Sequence, residues 1–235
     1  NHIADVVLDP GDICLVSGPT YFVFLGTLAG IGARTIAIES DDFGMKMDAL
    51  EAELTRIEAA GELDRVKMIY LVSWFENPSG VSLSAERRKQ VVEIAKRWSK
   101  HQRILILEDA AYRELRYEGE ETPSIWSFDE SRQHVVLAQT FSKSFSPGVR
   151  VGYGVVPQDL VDPLLDMRGN LDFGAASLPQ QIIADALHTG VFRKHVDRIR
   201  QSYRIKRDAM LNAADEFFSD IPGVSWHRPQ GGLYV

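Results

Sequence analysis

Short apolar runs alternate with amphipathic stretches along most of this 235-residue chain, and that alternation limits its fold more than any other feature. Runs at 13–16, 35–38, 66–72, 104–107, 135–138 and 151–156 are apolar nearly throughout, as strands buried on both faces must be. Between them lie helical patterns. The stretch 47–60 places Ala49, Leu50, Leu54 and Ile57 on one side and stops at Gly61. The stretch 84–100 opens on Ser84, a good N-cap, and carries Val91, Val92, Ile94 and Ala95 on its inward side. Strands alternating with helices predict an α/β fold: three layers, α/β/α, around a mainly parallel sheet.

After Leu178-Pro179 the pattern changes. A charged helical stretch over 191–218 has Val196, Ile199, Tyr203, Met210 and Phe217 at helical spacing. It predicts a long connecting helix. The expected organisation is a large domain over 1–190, then that helix and the start of a smaller C-terminal domain over 191–235. The chain opens at Asn1 inside a helical pattern and ends at Val235 inside an apolar run after Gly231-Gly232. It therefore reads as an internal segment of a longer protein.

Composition narrows the partners. The net charge is -7, against nucleic acid or anionic membrane as the main partner. Cys14 is the single cysteine, so no intramolecular disulfide framework exists and a cytoplasmic location is expected. No apolar run nears the roughly 18 residues of a membrane span. The six histidines are scattered, and no His/Cys/Asp cluster has metal-ligand spacing, so no metal site is expected.

In open α/β sheets, ligands bind beyond the carboxyl ends of strands. Asn77, in Asn77-Pro78-Ser79-Gly80, follows the 66–72 run. Asp109 follows the 104–107 run, and Thr140, Ser142 and Lys143 follow the 135–138 run. Each alone has a plain structural explanation. Asn-Pro-Ser-Gly is a turn sequence, an Asp after a strand caps the next helix, and a Lys in a Ser-rich loop is a solvated charge.

The ordered set is far more specific. The segment Thr140-Phe141-Ser142-Lys143-Ser144-Phe145-Ser146-Pro147-Gly148-Val149-Arg150-Val151-Gly152-Tyr153 resembles the Schiff-base lysine segment of the class I/II aminotransferases. These are pyridoxal 5'-phosphate (PLP) enzymes of fold type I, aspartate-aminotransferase-like. Asp109-Ala110-Ala111-Tyr112 resembles that family's Asp-x-x-Tyr element, and Asn77-Pro78-Ser79-Gly80 its Asn-Pro-Thr-Gly element. Asp9-Pro10-Gly11-Asp12 and Pro19-Thr20-Tyr21 match in order and spacing, and Pro229-Gln230-Gly231-Gly232-Leu233-Tyr234 resembles the family's entry to the small domain. The resemblance spans essentially the whole chain.

It implies a PLP-dependent aminotransferase that moves an amino group between an amino acid and a 2-oxo acid, as a homodimer. Lys143 would form the Schiff base and move the Cα proton. Asp109 would hold the proton of the pyridine nitrogen, since a carboxylate there favours the charged ring. Asn77 and Tyr112 would hydrogen-bond the ring 3-oxygen, and Tyr21 would stack on the ring. Arg150 would grip the phosphate bidentately, with Thr140 and Ser142 adding hydroxyls. Two further parts are implied outside the sequence: a Gly/Ser-Gln phosphate loop before Asn1 and a carboxylate-binding Arg beyond Val235. Thr140 departs from the more usual Ser. Ser73-Trp74-Phe75-Glu76 stands where the family often shows Pro and Gln, so the substrate side chain stays open.

Two other readings share these residues. One is another fold type I PLP enzyme, such as a lyase or decarboxylase. The other is the aminotransferase-like effector domain of a bacterial transcription regulator, in which a DNA-binding domain would precede Asn1. Of the remaining features, 26–32 has glycines in the wrong order for a dinucleotide loop and is read as allowing close helix packing. The segment 168–174 is read as a loop or a contact to substrate or a partner subunit. Trp74 is singled out for its place just before Asn77.

Overall fold

A computed structural model describes residues 1–235. The apolar runs pair into one seven-stranded sheet: β1 (Ile13–Gly18), β2 (Arg34–Asp41), β3 (Gly44–Met45), β4 (Val66–Val72), β5 (Leu105–Asp109), β6 (Val135–Thr140) and β7 (Gly152–Val155). Their spatial order is β3-β2-β1-β4-β5-β6-β7. Strands β2, β1, β4, β5 and β6 are parallel, and β3 and β7 close the two edges antiparallel. All six predicted strands form. The two residues of β3 are too few to show a period, so sequence pattern missed it.

Alternation along the strands sorts side chains to two faces. Ile13 and Leu15 of β1, Ile69 and Leu71 of β4, and Ile106 of β5 join one buried cluster. Cys14 and Val16, then Met68, Tyr70 and Val72, then Leu105 and Leu107 join the other. Each fully buried Leu or Ile of this kind contributes about 1.5–3 kcal/mol. The first face is covered by α3 (Met47–Ala59) through Leu50, Leu54 and Ile57, and by α4 (Ala85–Trp98) through Val91, Val92, Ile94 and Ala95. Ser84 caps α4 by accepting the Arg87 amide at 3.4 Å. The second face is covered by α1 (His2–Val7) through Ala4 and α2 (Phe22–Ile31) through Phe24 and Leu28. This is the predicted three-layer α/β/α arrangement.

The remaining helices are α5 (Ile125–Phe128), α6 (Val161–Asp172), α7 (Ser177–His188) and α8 (Val191–Phe218). Helix α8 runs over the predicted 191–218. Val196 is buried, and Ile199 and Tyr203 pack on the sheet domain, but Met210 and Phe217 are exposed. Two expectations hold only in part. Residues 168–172 complete α6, and only Phe173 and Gly174 leave it, both at positive φ. Helical periodicity there is blurred by Gly169 and Asn170, two poor helix formers. Of the glycines at 26–32, Gly26 and Gly30 face open space, and only Gly32 makes a close approach, where a Cβ would lie 3.3 Å from Pro10.

The chain's last residues return to the sheet domain. Tyr117 donates its amide to Gln230 O at 2.8 Å, and Gly232 donates to Leu115 O at 2.9 Å. Glycine is required here: a Cβ on Gly231 would lie 2.3 Å from Leu115 O and 2.5 Å from the Phe75 ring. Phe75 itself is buried with φ 47, a left-handed conformation costly for a side-chain residue.

A buried arginine holds the 73–83 segment that contains Phe75 and Asn77. Arg88 is fully buried. Its Nε donates to Leu83 O at 2.8 Å, Nη1 to Pro123 O at 2.9 Å, and Nη2 to Ser73 O. Its guanidinium lies 4.0 Å from the Trp74 ring centroid and 3.9 Å from Glu108. Burial lowers its pKa to about 10, so it stays charged near neutrality. Replacing it strands the Glu108 charge, the most costly kind of loss in a core. Arg88→Ala is expected to destabilise the fold by about 3–5 kcal/mol, read as a lower urea midpoint at unchanged slope. A shift under about 1 kcal/mol, the ordinary cost of a surface change, would remove Arg88 from this role.

Candidate active site

Parallel pairing fixes where the polar groups go. Val72 of β4 lies opposite Asp109 of β5, and Asp109 lies opposite Ala138 of β6. The carboxyl ends of three neighbouring strands are thus level, and the residues that follow them share one edge of the sheet. Chain order reverses between β1 and β4, which puts the end of β1 beside them. A cleft of about 380 Å³ opens there. Tyr21, Asp109, Tyr112, Thr140, Ser142, Lys143 and Arg150 all line it, with Val72, Ala138 and Gln139 forming its floor and side.

Seven of the eight residues singled out in the sequence therefore meet. The eighth, Asn77, stands beside the cleft, with its side chain against the Tyr112 hydroxyl. Tyr112 sits in the turn after β5, and its ring meets that of Tyr234 edge-on at 5.9 Å between centroids. Burial, then the neighbouring Tyr234, push the Tyr112 hydroxyl well above its ordinary pKa.

Asp109 combines both of its sequence readings. Oδ1 accepts the Ala111 amide at 3.0 Å, the capping role. Oδ2 accepts the Tyr70 hydroxyl at 3.0 Å. No arginine, lysine or histidine forms an ion pair with it, whereas two buried carboxylates elsewhere in the sheet domain have one: Glu108 with Arg88 and Asp129 with Lys96. Burial pushes the Asp109 carboxyl up, and the two hydrogen bonds offset part of that shift. The carboxylate is thus short of one positive partner on its cleft side.

The loop after β6 gathers the basic groups. The Ser142 amide donates to Thr140 Oγ1 at 3.1 Å, folding the loop back. Lys143 then projects its Nζ to 5.9 Å from the Tyr112 ring centroid, and no acidic side chain pairs with it. A single 3₁₀ turn at Pro147–Val149 returns the chain, and Arg150 follows at φ 52. Its Nη1 contacts Ser142 Oγ and Pro147 O, each at 3.4 Å. Arg150 also has no acidic partner. A guanidinium, two hydroxyls and loop amides at one end make an anion site. A half-buried carboxylate without an ion-pair partner in the same cleft suits a protonated heterocycle.

Sequence reasoning missed Tyr70 and Gln139, and named Glu76 only within a segment that departs from the family pattern. Tyr70 lies inside the 66–72 strand run, and its hydroxyl is the one signal that sets it apart from the apolar residues there. Gln139 accepts the Tyr153 hydroxyl at 2.7 Å. Glu76 is buried next to Asn77, and its sequence signal is the Ser73–Glu76 departure from the family pattern.

Comparison with known proteins bears on the family and the fold. The family model for aminotransferase class I and II matches residues 1–235. The chain is 35% identical over 233 residues to aromatic-amino-acid aminotransferase 1 of Thermococcus litoralis, covering 99% of this chain and 54% of that protein. The crystal structure of Pyrococcus horikoshii kynurenine aminotransferase in complex with PMP superposes with a TM-score of 0.92 at 34% identity, covering 98% of this chain and 55% of that one. A Bacillus subtilis protein, the uncharacterized HTH-type transcriptional regulator YdfD, is 28% identical over 97% of this chain and 45% of its own length. The chain spans about half the length of the relatives it matches. With the family model matched from end to end, this chain belongs to the class I and II aminotransferase family.

Proposed function

We propose that this chain forms the cofactor-binding part of an aminotransferase, which holds PLP in the cleft and moves an amino group between an amino acid and a 2-oxo acid. One observation carries the reading: the half-buried carboxylate of Asp109 and the amine of Lys143, neither in an ion pair, line one cleft from different strands together with Arg150. The residues fit the group on three counts. Asp109 lacks a positive partner, which a protonated ring nitrogen supplies. Arg150 with Thr140 and Ser142 offers donors for a phosphate. Tyr21 offers a flat apolar face. The cleft volume lies in the ordinary range for such ligands.

Bound PLP supplies a carbonyl that condenses with amines and a ring that withdraws electrons. Lys143 Nζ would be the amine that holds the cofactor's carbonyl end, and, when free, the base placed to carry a proton at the substrate Cα. Asp109 keeps the ring nitrogen protonated, with Tyr70 fixing the carboxylate's orientation. The Tyr112 hydroxyl and the Asn77 amide hold the ring 3-oxygen. Arg150 anchors the phosphate end, so that Lys143 reaches one fixed point.

The finer assignments belong to the same reading. Residues 1–190 form the large domain, and 191–235 the connecting helix and the start of the small one; the exposed C-terminal half of α8 supports this. A homodimer is supported by Phe22, Phe173 and Leu178, three large apolar side chains open to solvent. A role in amino acid metabolism and a cytoplasmic location follow from the proposed activity and the free Cys14. No helix is long and apolar enough to cross a membrane. The likeness to YdfD supports a second reading, a sensor domain in a transcription regulator. A DNA-binding domain in the full-length protein would favour that reading.

Three experiments on the full-length protein test the proposal. Borohydride treatment of the PLP-bound form is expected to place a pyridoxyl group on Lys143, read by peptide mapping; label on another lysine overturns the assignment. Arg150→Lys keeps the charge but loses the two-pronged geometry. It is expected to weaken binding of PLP more than that of non-phosphorylated pyridoxal, and equal losses would take Arg150 away from the phosphate. Asp109→Asn preserves the cap to Ala111, since Asn caps as well as Asp, but removes the charge. Loss of a charge-assisted hydrogen bond is worth about 1.5–3 kcal/mol, so single-turnover reaction with an amino acid is expected to slow about 10- to 150-fold. Wild-type rates at full PLP occupancy would leave Asp109 a cap alone.

A further inference from the structure

Glu76 is a buried carboxyl that the proposed chemistry does not use. It is 4% exposed and forms no ion pair with any lysine, arginine or histidine. Its Oε1 accepts the hydroxyl of Thr20, itself buried, at 2.9 Å. The hydroxyls of Ser17 and Ser79 also face it. Its backbone closes the turn that carries Asn77: the Glu76 amide donates to Val81 O at 2.8 Å, and the Gly80 amide donates to Glu76 O at 2.7 Å. Thr20 directly precedes Tyr21. The carboxyl thus joins two separate segments, one bearing Tyr21 and one bearing Asn77.

We propose that Glu76 acts as an uncharged carboxylic acid, a positioning residue that ties the Tyr21 segment to the Asn77 turn and leaves Asp109 the single negative charge at the cleft. Its positioning of Tyr21 and Asn77 toward PLP rests on the function proposed above; its charge state does not. The charged and titratable groups facing it are Asp109 from β5 and Tyr70 from β4, and neither is cationic. Burying a carboxylate without a cation is among the most costly arrangements in a protein. A second carboxylate nearby adds repulsion, so of two such groups one stays protonated. A protonated carboxyl both donates and accepts, which suits a group set among three hydroxyls. Burial pushes the Glu76 carboxyl up to about 8, against an ordinary 4.5.

The sign of the pH effect follows. Folded Glu76 binds a proton that the unfolded chain releases above about 4.5, so stability falls as pH rises from there to about 8 and levels off beyond. Glutamine has the same shape and no titration. Wild-type melting temperature is therefore expected to drop by a few degrees more than that of Glu76→Gln between pH 6 and 9, at roughly 2–4 °C per kcal/mol for a chain of this size.

The test uses the full-length protein, first without cofactor. The infrared difference between wild type and Glu76→Gln at pH 6 is expected to show the C=O band of a protonated carboxyl, which fades in wild type as pH rises past 8. Absence of that band at pH 6, in wild type titrated alone or in the difference, overturns the charge assignment. PLP affinity is then measured. Glu76→Ala is expected to bind PLP about tenfold more weakly, the worth of a lost buried hydrogen bond, and Glu76→Gln to rescue it. An alanine variant with wild-type affinity, or a glutamine variant as weak as alanine, overturns the positioning role. The infrared titration needs no cofactor, so it decides the charge of Glu76 whether or not Lys143 carries the label.

Discussion

The level register of β4, β5 and β6 is the constraint on which the site depends. Val72, Asp109 and Ala138 lie side by side across three parallel strands. Because parallel neighbours run the same way, the chain leaves all three at one edge of the sheet. The Asn77 turn, the Asp109–Tyr112 turn and the Lys143 loop are therefore neighbours although they lie far apart in sequence. A slip of one residue in β5 would turn Asp109 from the Tyr70 face to the opposite one. The slip would also carry Glu108 away from Arg88 and leave both buried charges without a partner, a costly loss in a core.

Buried charge divides the structure into scaffold and site. Glu108 faces Arg88 and accepts three hydrogen bonds, from Ser73, Ile125 and Trp126. Asp129 faces Lys96 and accepts from Ser131 and the His134 amide, and these bonds hold its pKa down at about 2. Those carboxylates are satisfied by the fold itself. Asp109 and Glu76 lack cations, and burial raises both. The two adjacent residues Glu108 and Asp109 thus have opposite fates. Alternation along β5 points one at the Arg88 layer and the other at the cleft.

Close backbone approach adds the other side of the cleft. Phe75 is held at positive φ beneath Gly231 and Gly232, which have no Cβ to collide with it. Gly80 of the Asn77 turn meets Tyr234 O, and Tyr234 in turn meets Tyr112. The 229–234 segment therefore supports the two elements that carry Asn77 and Tyr112. Arg207 of α8 anchors it by donating to Pro229 O at 2.8 Å, which links the long helix to the same edge.

Most of the fold was legible in the sequence because buried parallel strands and amphipathic helices carry strong periods. The six longer strands, α3, α4 and the long α8 all stand near where their patterns placed them. The ordered motifs also named the groups that line the cleft, since their spacing from strand ends is a local property. Other features had no local signal. The pairing of Tyr70 with Asp109 spans 39 residues, and that of Thr20 with Glu76 spans 56, so only folding brings them together. The Tyr70 ring belongs to the core, and only its hydroxyl reaches the carboxylate. The open faces of Gly26 and Gly30 and the helical state of 168–172 were likewise decided by what packs, or does not pack, against them. Sequence alone determined the layers, the strand ends and the chemistry placed there. Tertiary structure decided which buried carboxyls meet a cation and which do not, because charge compensation depends on distance in space and not on order along the chain.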